Sequence, residues 1–537
     1  MQNIYSVKIR LVSILVALAM LVTALAITPM NAHASDAVTG TMQIANRVGG
    51  SAVNLAQNDS GTGWDWNKDT DELTIDSSYT GEAIYVDCND SGTINILISG
   101  DVTTGSIECM GSLNISSSSN GTITATKTGS DSLACIYSAN AIEINGNVNL
   151  NATSNSSSGI ESWNGNGIEI GGSANVTVNG WRVGLRSYSD INIGGNSQVT
   201  ATATEEENGI ALFANGSISI SGDANVEAIG LDTGINCNNN DPEIVDNNIT
   251  IDTTGTVIAE GSGYGIKTED ITIINGTVTA TGTGTGSEGI SSYGDTEFGG
   301  DANVIATGGC RGIEAWGDFN ISGGADVVAT ALRIDYGAGI CVYGGNITIN
   351  TTGSVAAKGT NSGIFVVPSP SVDDENDYNI VITNGTVVAT ATGEGEGTHG
   401  SSFSQEGFFG ICSYYDIEVN GSADVTATGF QYGIYSHEGD ISISESSNVQ
   451  ATGNDGIYSY EGDISIATTG IVTAEGITNG IHAKGHKGWW DDNNVEKGNV
   501  AISNGTVTAT GNAAGLRAAA GIVIDGDAIF IHQVIIQ

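Results

Sequence analysis

A short motif recurs along the chain and limits what it can fold into. The motif is a glycine, then an isoleucine or leucine that we call the anchor, then residues that alternate between polar and apolar. Anchors mostly return after about 23 to 25 residues, a period typical of solenoids, in which each repeat packs on its neighbours. The anchors are Ile136, Ile160, Leu185, Ile210, Ile235, Ile266, Ile290, Ile313, Ile340, Ile364, Ile411, Ile434, Ile457, Ile481 and Leu516.

Each repeat contains three short alternating segments, which the unit beginning at Gly433 shows over residues 433–437, 440–444 and 448–453. Alternation over four or five residues indicates a half-buried strand, and Gly, Asn or Asp between strands indicates a tight turn. Three strands in so few residues leave no room for a helix. Regular leucines for a leucine-rich repeat are lacking, and a propeller blade needs four longer strands. The sequence therefore predicts an all-β parallel β-helix solenoid with three strands per coil and roughly 17 coils.

The alternation also predicts which way side chains point in the first strand of each coil. The anchor and the third residue point inward, and the second and fourth point outward. By this rule Cys237 points inward, whereas Cys341 and Cys412 point outward. Because the seven cysteines are odd in number and show no CxxC spacing, we expect neither a disulfide framework nor a zinc site.

The N-terminus has the order of a secretory signal peptide, predicted over residues 1–34. Lys8 and Arg10 precede an apolar run over 11–27, and Ala32-His33-Ala34 follows as a cleavage site. The alternative is a retained membrane anchor. Residues 35–80 are predicted to be an N-terminal cap, in which Trp64 and Trp66 cover the first coil or, alternatively, stack on a sugar. Residues 81–537 are predicted to be the β-helix, and the final apolar run is either a capping strand or a truncation.

Charge excludes two classes of partner. The chain has 60 Asp and Glu against 15 Lys and Arg, for a net charge of −45. Such a chain repels nucleic acid and anionic membrane surfaces. No later stretch is long and apolar enough for a membrane span. We therefore expect a secreted or cell-surface monomer that binds no nucleic acid and has no membrane span after signal cleavage.

Aromatic residues recur at the fourth, outward position of the first strand, and an acid follows two or three residues later. Stacked in register, they would form an aromatic row and an acidic row along one corner. The rings could stack on a glycan, while the alternative is structural: rings stabilise neighbouring coils and aspartates cap the turns. The aromatic row is Trp163, Tyr188, Phe213, Tyr293, Trp316, Tyr343, Tyr414 and Tyr460, with His437 in the same column. The acidic row is Asp190, Asp295, Asp318, Asp416, Asp440 and Asp463.

Three acidic insertions interrupt this same corner, at residues 237–248, 367–379 and 485–499. Insertions on one face of a solenoid often mark its working face, and clustered carboxylates suit Ca²⁺. The alternative is solvated loops. The predicted calcium ligands are Asp373, Asp374, Asp377, Asp491 and Asp492. Trp489 and Trp490 in the last insertion complete the predicted glycan-stacking set of Trp163, Tyr188, Tyr293, Trp316, Tyr414 and Tyr460.

Catalytic patterns are weak, which favours a non-catalytic protein. Arginines such as Arg182, Arg186, Arg311 and Arg333 show no partner pattern, and acids are too abundant for any pair to stand out. Three motifs carry a resemblance to a known superfamily. They are the Gly-Ile-x-Ser-aromatic units, the Asn-Gly-Thr-Val-x-Ala-Thr units beginning at Asn275, Asn384 and Asn504, and the segment Gly63-Trp64-Asp65-Trp66.

On these motifs the chain resembles the right-handed parallel β-helices of the pectate-lyase-like superfamily, and more closely the repeat-rich, carbohydrate-binding surface proteins of bacteria and archaea. The resemblance implies an adhesin or binding protein for extracellular polysaccharide or cell-wall glycan, assisted by Ca²⁺. Its alternatives are a polysaccharide lyase or glycoside hydrolase of this fold, or a passive surface stalk. The superfamily's lyases combine Ca²⁺-binding acids with a basic Arg or Lys, and no set of positions here matches that combination.

Overall fold

The computed structural model describes residues 40–44, 51–81, 83–88, 92–129, 133–205, 207–237, 247–333, 337–368, 378–393, 408–485 and 498–533. Over these ranges the chain is an all-β parallel β-solenoid of about 16 turns without a helix, as the repeat predicts. It follows that no helix in the described ranges could cross a membrane. The signal peptide predicted over residues 1–34 lies outside them.

Three columns of parallel strands run along the solenoid, and we call them the first, second and third sheets in the order in which each coil visits them. Anchors stack in register, since Ile313 pairs with Ile290 on one side and Ile340 on the other. Strands confined to the first sheet are Ala83–Cys88, Ser106–Cys109, Ile136–Ser138, Ile160–Ser162, Val183–Ser187, Ile210–Ala214, Thr233–Asn236, Tyr264–Thr268, Glu288–Ser292, Arg311–Ala315, Ala338–Tyr343, Ser362–Val367, Phe409–Ser413, Tyr432–Ser436 and Ala514–Ala518.

The second and third sheets follow the same register. Strands confined to the second sheet are Thr93–Ile98, Ser112–Ser117, Ile142–Gly146, Ile168–Ile170, Ile191–Ile193, Ile218–Gly222, Thr296–Phe298, Phe319–Gly323, Ile417–Val419, Ile441–Glu445 and Gly521–Ile524. Those confined to the third are Val102–Thr104, Thr122–Lys127, Asn149–Ser154, Asn175–Gly180, Gln198–Ala203, Asn225–Gly230, Asn303–Gly308, Asp326–Ala331, Asp424–Thr428 and Ile529–Gln533.

Several strands continue around a corner from one sheet into the next. Those shared by the second and third sheets are Asn248–Gly261, Asp270–Gly282, Ile347–Gly359, Ile380–Ala391 and Asn499–Thr510. Asn448–Ser459 continues from the third sheet into the first, and Ile464–Ala483 runs through all three. At these corners the backbone turns without leaving extended geometry.

Antiparallel strands precede the first complete coil: Gly40–Ile44, Ser51–Asn54, Asp59–Gly61, Trp64–Asn67 and Glu72–Ile75. Gly40–Ile44 pairs with the first strand of the first sheet, and Glu72–Ile75 pairs in parallel with the second sheet. Trp66 is 1% exposed, and its indole N–H donates a 3.2 Å hydrogen bond to the Leu55 carbonyl. Trp66 is therefore part of the packed interior of this N-terminal segment. The predicted cap boundary at residue 80 stays a prediction.

The core is the lumen of the solenoid, filled by side chains that stack in register. Anchors such as Ile313 and Ile340 are fully buried, and Phe298 and Phe319 meet edge to face across neighbouring coils with ring centroids 5.4 Å apart. Small hydroxyl residues at the third position fit the narrow corner and bond to carbonyl oxygens. The Ser138 hydroxyl, for example, donates to the Gly111 carbonyl at 2.7 Å. Buried polar groups of this kind are satisfied within the lumen.

The glycine before each anchor is explained by close packing at the corner between the third and first strands. A Cβ atom added at Gly312 would lie 2.5 Å from the Thr330 nitrogen and 2.7 Å from the Gly339 carbonyl oxygen. Both contacts are with backbone, which cannot move aside cheaply. The Gly-Ile motif therefore meets two structural requirements. The glycine allows the close backbone contacts at the corner, and the isoleucine places an apolar side chain in the lumen.

Two expectations about the first sheet need correction. Leu212, not Ile210, is the anchor of its coil, because Leu212 pairs with Leu185 and Ile235. Ile210 and Leu212 are both apolar and two residues apart, so alternation alone fits either register. As a consequence Phe213 occupies the second position of its strand and does not belong to the aromatic row.

The other correction concerns two thiols. Cys341 and Cys412 lie at outward positions, yet they are 1% and 0% exposed. They belong to an apolar layer on the outside of the first sheet that also contains Phe365, Tyr435 and Tyr458. Alternation predicts the direction of a side chain but not whether other side chains cover it.

Candidate functional site

The outer face of the first sheet differs from the outside of the other two sheets. Its side chains come from three columns: two residues before each anchor, one after it and three after it. Glu108 is 2% exposed, Glu161 4% and Glu314 8%, although all three point away from the lumen. Outward glutamates on the second sheet, such as Glu297, are exposed. The outer face is therefore a packed layer that buries charged side chains as well as the apolar cluster described above, and burying a charge is costly unless it is paired.

The chain's scarce cations supply that pairing. Only 15 lysines and arginines occur among 537 residues, and six of those that the structure describes lie in this layer or reach into it. They are Lys127, Arg186, Lys267, Arg311, Lys484 and Arg517. In a chain with a net charge of −45, this placement makes the outer face of the first sheet its least acidic surface.

One patch surrounds Arg186. Its guanidinium carbon lies 4.4 Å from the centroid of the Tyr188 ring, and its Nη1 is 4.0 Å from Glu161. The Ser158 hydroxyl donates a 2.8 Å hydrogen bond to the same oxygen of the Glu161 carboxylate. Trp163 packs on Tyr188 with ring centroids 4.2 Å apart and remains 45% exposed. An exposed indole thus lies beside the Arg186–Glu161 ion pair.

A second patch surrounds Arg311. Its Nη1 lies 3.4 Å from Glu288 and 3.2 Å from Glu314, and its Nη2 donates a 2.6 Å hydrogen bond to the Tyr343 hydroxyl. The expectation that this arginine has no partner pattern is wrong, because two of its partners come from the coils before and after its own. The Trp316 ring stacks on Tyr343 with centroids 4.9 Å apart.

Protonation is unusual in this second patch. Burial, reinforced by the negative charge of Glu314, raises the pKa of Glu288 to about 7. Burial also raises the pKa of Glu314, although the nearby Arg311 opposes the shift. Because both carboxylates contact the same guanidinium nitrogen, their nearest oxygens lie within about 7 Å of each other. Two carboxyl groups this close, with raised pKa values, are suited to share a proton with a bound hydroxyl.

The predicted stacking residues occupy the expected fourth-position column in two groups. Trp163 and Tyr188 form the first group, and Tyr293 is 41% exposed at the start of the second. Val367 interrupts the second group, after which Tyr414, His437 and Tyr460 continue it. Tyr188, Trp316, Tyr414 and Tyr460 are half-buried. Trp489 and Trp490 lie outside the described residues.

The opposite edge of the outer face carries exposed apolar side chains that the sequence reasoning missed. They lie at the corner between the third and first strands, and four of the five directly follow a glycine. That glycine-then-large-apolar pair was the available signal. The residues are Trp181 at 42% exposure, Leu231 at 45%, Leu332 at 65%, Phe430 at 41% and Ile477 at 61%. The outer face is therefore bordered by the partly exposed aromatic column on one edge and by these exposed apolar side chains on the other.

The acidic row is part of the turn architecture. The Asp295 carboxylate accepts a 2.8 Å hydrogen bond from the backbone N–H of Asp318, and Asp318 accepts one of 2.8 Å from the backbone of Asn346. Asp416 and Asp440 bond in the same way to the coils that follow them. The structural alternative thus accounts for these aspartates, since each satisfies a backbone donor at the corner of the next coil.

The predicted calcium ligands Asp373, Asp374, Asp377, Asp491 and Asp492 lie outside the described residues. Among the residues that the structure does describe, no three His, Cys, Asp or Glu side chains are grouped as a metal site would require. A calcium site in the insertions stays a prediction from their composition.

Comparisons with protein-family models, with curated proteins and with solved structures gave no match to this chain. The fold is shown by the structure itself, and function has to be argued from the chemistry of the outer face.

Proposed function

We propose that the chain is a secreted or cell-surface, non-catalytic binding protein for an extracellular polysaccharide or cell-wall glycan, held along the outer face of the first sheet. The observation that carries the proposal is the pair of exposed tryptophans, Trp163 and Trp181, on opposite edges of one part of that face. Arg186 and Glu161 lie between them as a packed ion pair. The resemblance to carbohydrate-binding β-helix proteins agrees with this proposal.

Sugars match the two kinds of chemistry that the face offers. Their hydroxyl groups can donate to a carboxylate such as Glu161 and accept from a guanidinium such as Arg186. Their apolar ring faces can pack on exposed indole rings, which bury a large area at low entropic cost. A strip bordered on its two edges by such rings and apolar side chains suits a chain that lies along the strip.

The repeat spacing favours an extended polymer over a compact ligand. Neighbouring coils lie about 4.8 Å apart along the solenoid, which is close to the length of one sugar residue. A glycan parallel to the long axis would therefore meet a new coil with each sugar. The net charge of −45 favours a neutral glycan, because a uronate polymer would be repelled.

Binding to a panel of neutral and acidic polysaccharides, measured by affinity electrophoresis, tests the proposal. We expect retardation by at least one neutral polymer. Trp163→Ala and Trp181→Ala should each weaken that binding by about tenfold or more, as the loss of an aromatic anchor commonly does. Val328→Ala is the matched control, since Val328 is an equally exposed apolar residue on the third sheet. Binding to no polymer at all would favour the passive stalk.

Calcium enters the proposal through the acidic insertions. If Asp373, Asp374, Asp377, Asp491 and Asp492 hold Ca²⁺, chelation should weaken glycan binding and millimolar CaCl₂ should restore it, whereas NaCl of equal ionic strength should not. Changing the first three of these aspartates to asparagine should remove the calcium response of that loop. Equal affinity with and without chelator would remove Ca²⁺ from the proposal.

A second candidate, glycoside hydrolysis, is favoured by one observation. Glu288, with a pKa of about 7, and Glu314 form a pair of buried carboxyl groups that both contact Arg311, and paired carboxyl groups with separated roles are what glycosidases use. New reducing ends that disappear in Glu288→Gln would establish this function. Unsaturated ends would indicate a lyase. Polymer binding without either product leaves the binding function standing.

A further inference from the structure

Two cysteines of neighbouring coils are in contact at the N-terminal end of the solenoid. Cys88 ends the strand Ala83–Cys88, and Cys109 ends the next strand of the first sheet, Ser106–Cys109. Their Sγ atoms are 4.0 Å apart, although the two residues are 21 positions apart in the chain. Spacing along the sequence does not show this pair, because the two thiols meet only once the coils are stacked.

The absence of a side chain at Gly111 makes room for the two sulfur atoms. A Cβ atom added there would lie 2.7 Å from the Cys88 Sγ and 2.3 Å from the Gly92 carbonyl oxygen. The Cys109 Sγ lies at the same bend of the backbone, 3.5 Å from the Ser112 carbonyl oxygen. Both thiols therefore occupy one small space on the inside of this bend.

Cys109 replaces a serine in its column. It pairs in register with Ser138 of the next coil, whose hydroxyl donates a hydrogen bond to the Gly111 carbonyl. A thiol is a weak donor and makes a poor substitute for a hydroxyl in that role. Its distinctive chemistry is oxidation, and the neighbouring thiol of Cys88 is placed to share it.

The distance to a covalent bond is short. The sulfur atoms of a disulfide are about 2 Å apart, so the two Sγ atoms have to approach each other by about 2 Å. Cys109 pairs in register with Val86, two residues before Cys88, so the bond crosses the sheet diagonally. Cys88 is the last residue of its strand, and the approach therefore displaces one strand end.

The two thiols differ in the way that thiol–disulfide exchange requires. The hydrogen bond with Cys109 lowers the pKa of the Cys88 thiol, although burial opposes the shift. The same hydrogen bond, reinforced by burial, raises the pKa of Cys109. Cys88 is also the more accessible residue, at 6% exposure against 0% for Cys109. Cys88 is thus suited to attack as a thiolate, and Cys109 to resolve the mixed disulfide.

We infer that Cys88 and Cys109 form a disulfide bond in the secreted chain, made by exchange with an external disulfide. The Cys88 thiolate attacks one sulfur of that disulfide, a mixed disulfide forms, and the first external thiol leaves. Cys109 then loses its proton and attacks the Cys88 sulfur, and the second external thiol leaves. Two protein thiols are oxidised and one external disulfide is reduced to two thiols. Such bonds persist outside the cell, where the predicted signal peptide directs the chain.

The bond joins two coils at one end of the stack. A coil near the end of a solenoid has few neighbours to hold it, so unfolding can begin there. The strand Ala83–Cys88 also pairs with Gly40–Ile44 of the N-terminal antiparallel strands, so the crosslink secures their attachment as well. A covalent tie at this place restricts the unfolded state and protects the N-terminal end from peeling.

Peptide mapping of the native chain after exposure to glutathione disulfide tests the bond. Iodoacetamide in denaturant should label five of the seven cysteines, and all seven after reduction. Cleavage at Asp90 and Asp101, which lie between the two cysteines, should leave peptides joined through Cys88 and Cys109. Labelling of all seven without reduction, a different cysteine pair, or glutathione retained on Cys88 would overturn the inference.

Variants measure what the bond contributes to stability. Cys109→Ser should fold, because it supplies the residue that Ser138 provides in the next coil. Reductant should lower the thermal midpoint of the native chain by several degrees and leave that of Cys109→Ser unchanged. Cys135→Ser is the matched control, since Cys135 is a buried thiol of the following coil whose sulfur lies against the Gly105 carbonyl.

Cys135→Ser should keep both the crosslink and the response to reductant. An equal response to reductant in Cys109→Ser and Cys135→Ser would contradict the inference. Neither measurement involves a glycan, so the disulfide can be confirmed or refuted whatever the outcome of the polysaccharide binding experiments.

Discussion

At the scale of single residues, Glu288 shows how the fold changes the pKa of a side chain. It lies on the outside of a solenoid yet is only 7% exposed, between Arg311 of the next coil and the negative charge of Glu314. An ordinary surface glutamate is ionised at neutral pH. This one has a pKa of about 7, so it binds a proton more tightly in the folded chain than in the unfolded chain.

That difference makes stability depend on pH with a definite sign. A raised pKa contributes stability that is fully present below the unfolded value of about 4.3 and is lost as the pH rises through about 7. Glu288→Gln abolishes this dependence. Between pH 5 and pH 8 the native chain should therefore lose on the order of 2–3 kcal/mol of unfolding free energy relative to Glu288→Gln.

Urea unfolding at the two pH values measures this difference. Glu297→Gln, which changes an exposed glutamate on the second sheet, is the control and should follow the native chain across the range. A native chain that gains stability relative to Glu288→Gln between pH 5 and pH 8 would contradict the assignment.

At the scale of strands and corners, the row of aspartates holds successive coils in register. Each Asp Oδ1 accepts the backbone N–H at the equivalent turn of the next coil, as Asp318 does for Asn346 at 2.8 Å. Asn346 and Asn379 occupy the same row and accept in the same way. An amide oxygen therefore serves as well as a carboxylate. What this row requires is a hydrogen-bond acceptor, not a negative charge.

Substitutions of Asp318 distinguish a contribution from hydrogen bonding from a contribution of the negative charge. Asp318→Ala should lower the unfolding free energy by about 1 kcal/mol, since it leaves a backbone donor to water. Asp318→Asn keeps the acceptor and should unfold close to the native midpoint. The measurement is urea unfolding with and without CaCl₂. A loss in Asp318→Asn equal to that in Asp318→Ala would show that charge, not hydrogen bonding, is what the row contributes.

The same elements show how far the sequence could predict the structure. Period-two alternation within a long repeat was enough for the three-stranded coil, the lumen and the column of fourth-position aromatics. It could not decide between Ile210 and Leu212, because both registers place an apolar residue inward. Nor could it find the partners of Arg311, since Glu288 lies 23 positions earlier in the chain and meets the arginine only once the coils are stacked.

At the scale of the whole molecule, charge and architecture oppose each other. The chain carries 60 acids and 15 bases, so like charges are held close together along a rigid stack. Six of those bases lie on or reach into the outer face of the first sheet, which leaves the other surfaces strongly negative. Repulsion of this kind destabilises the compact state.

Salt should therefore stabilise the protein. Raising NaCl from 10 mM to about 0.3 M shortens the Debye length from about 30 Å to below 10 Å, and we expect the unfolding midpoint to rise by a few degrees. Differential scanning calorimetry measures the shift, and choline chloride at equal ionic strength is the control for specific Na⁺ binding. A falling midpoint would contradict this expectation, because it would mean that attraction between exposed charges outweighs their repulsion.

The register of the three sheets has one further consequence, which concerns force. Every hydrogen bond between coils points along the long axis, so tension applied to the two ends loads the coils in series. Coils would peel away one at a time, and each would release about 23 residues, or roughly 70–80 Å of extended chain. A molecule built in this way yields in small steps under tension and can keep its remaining coils intact.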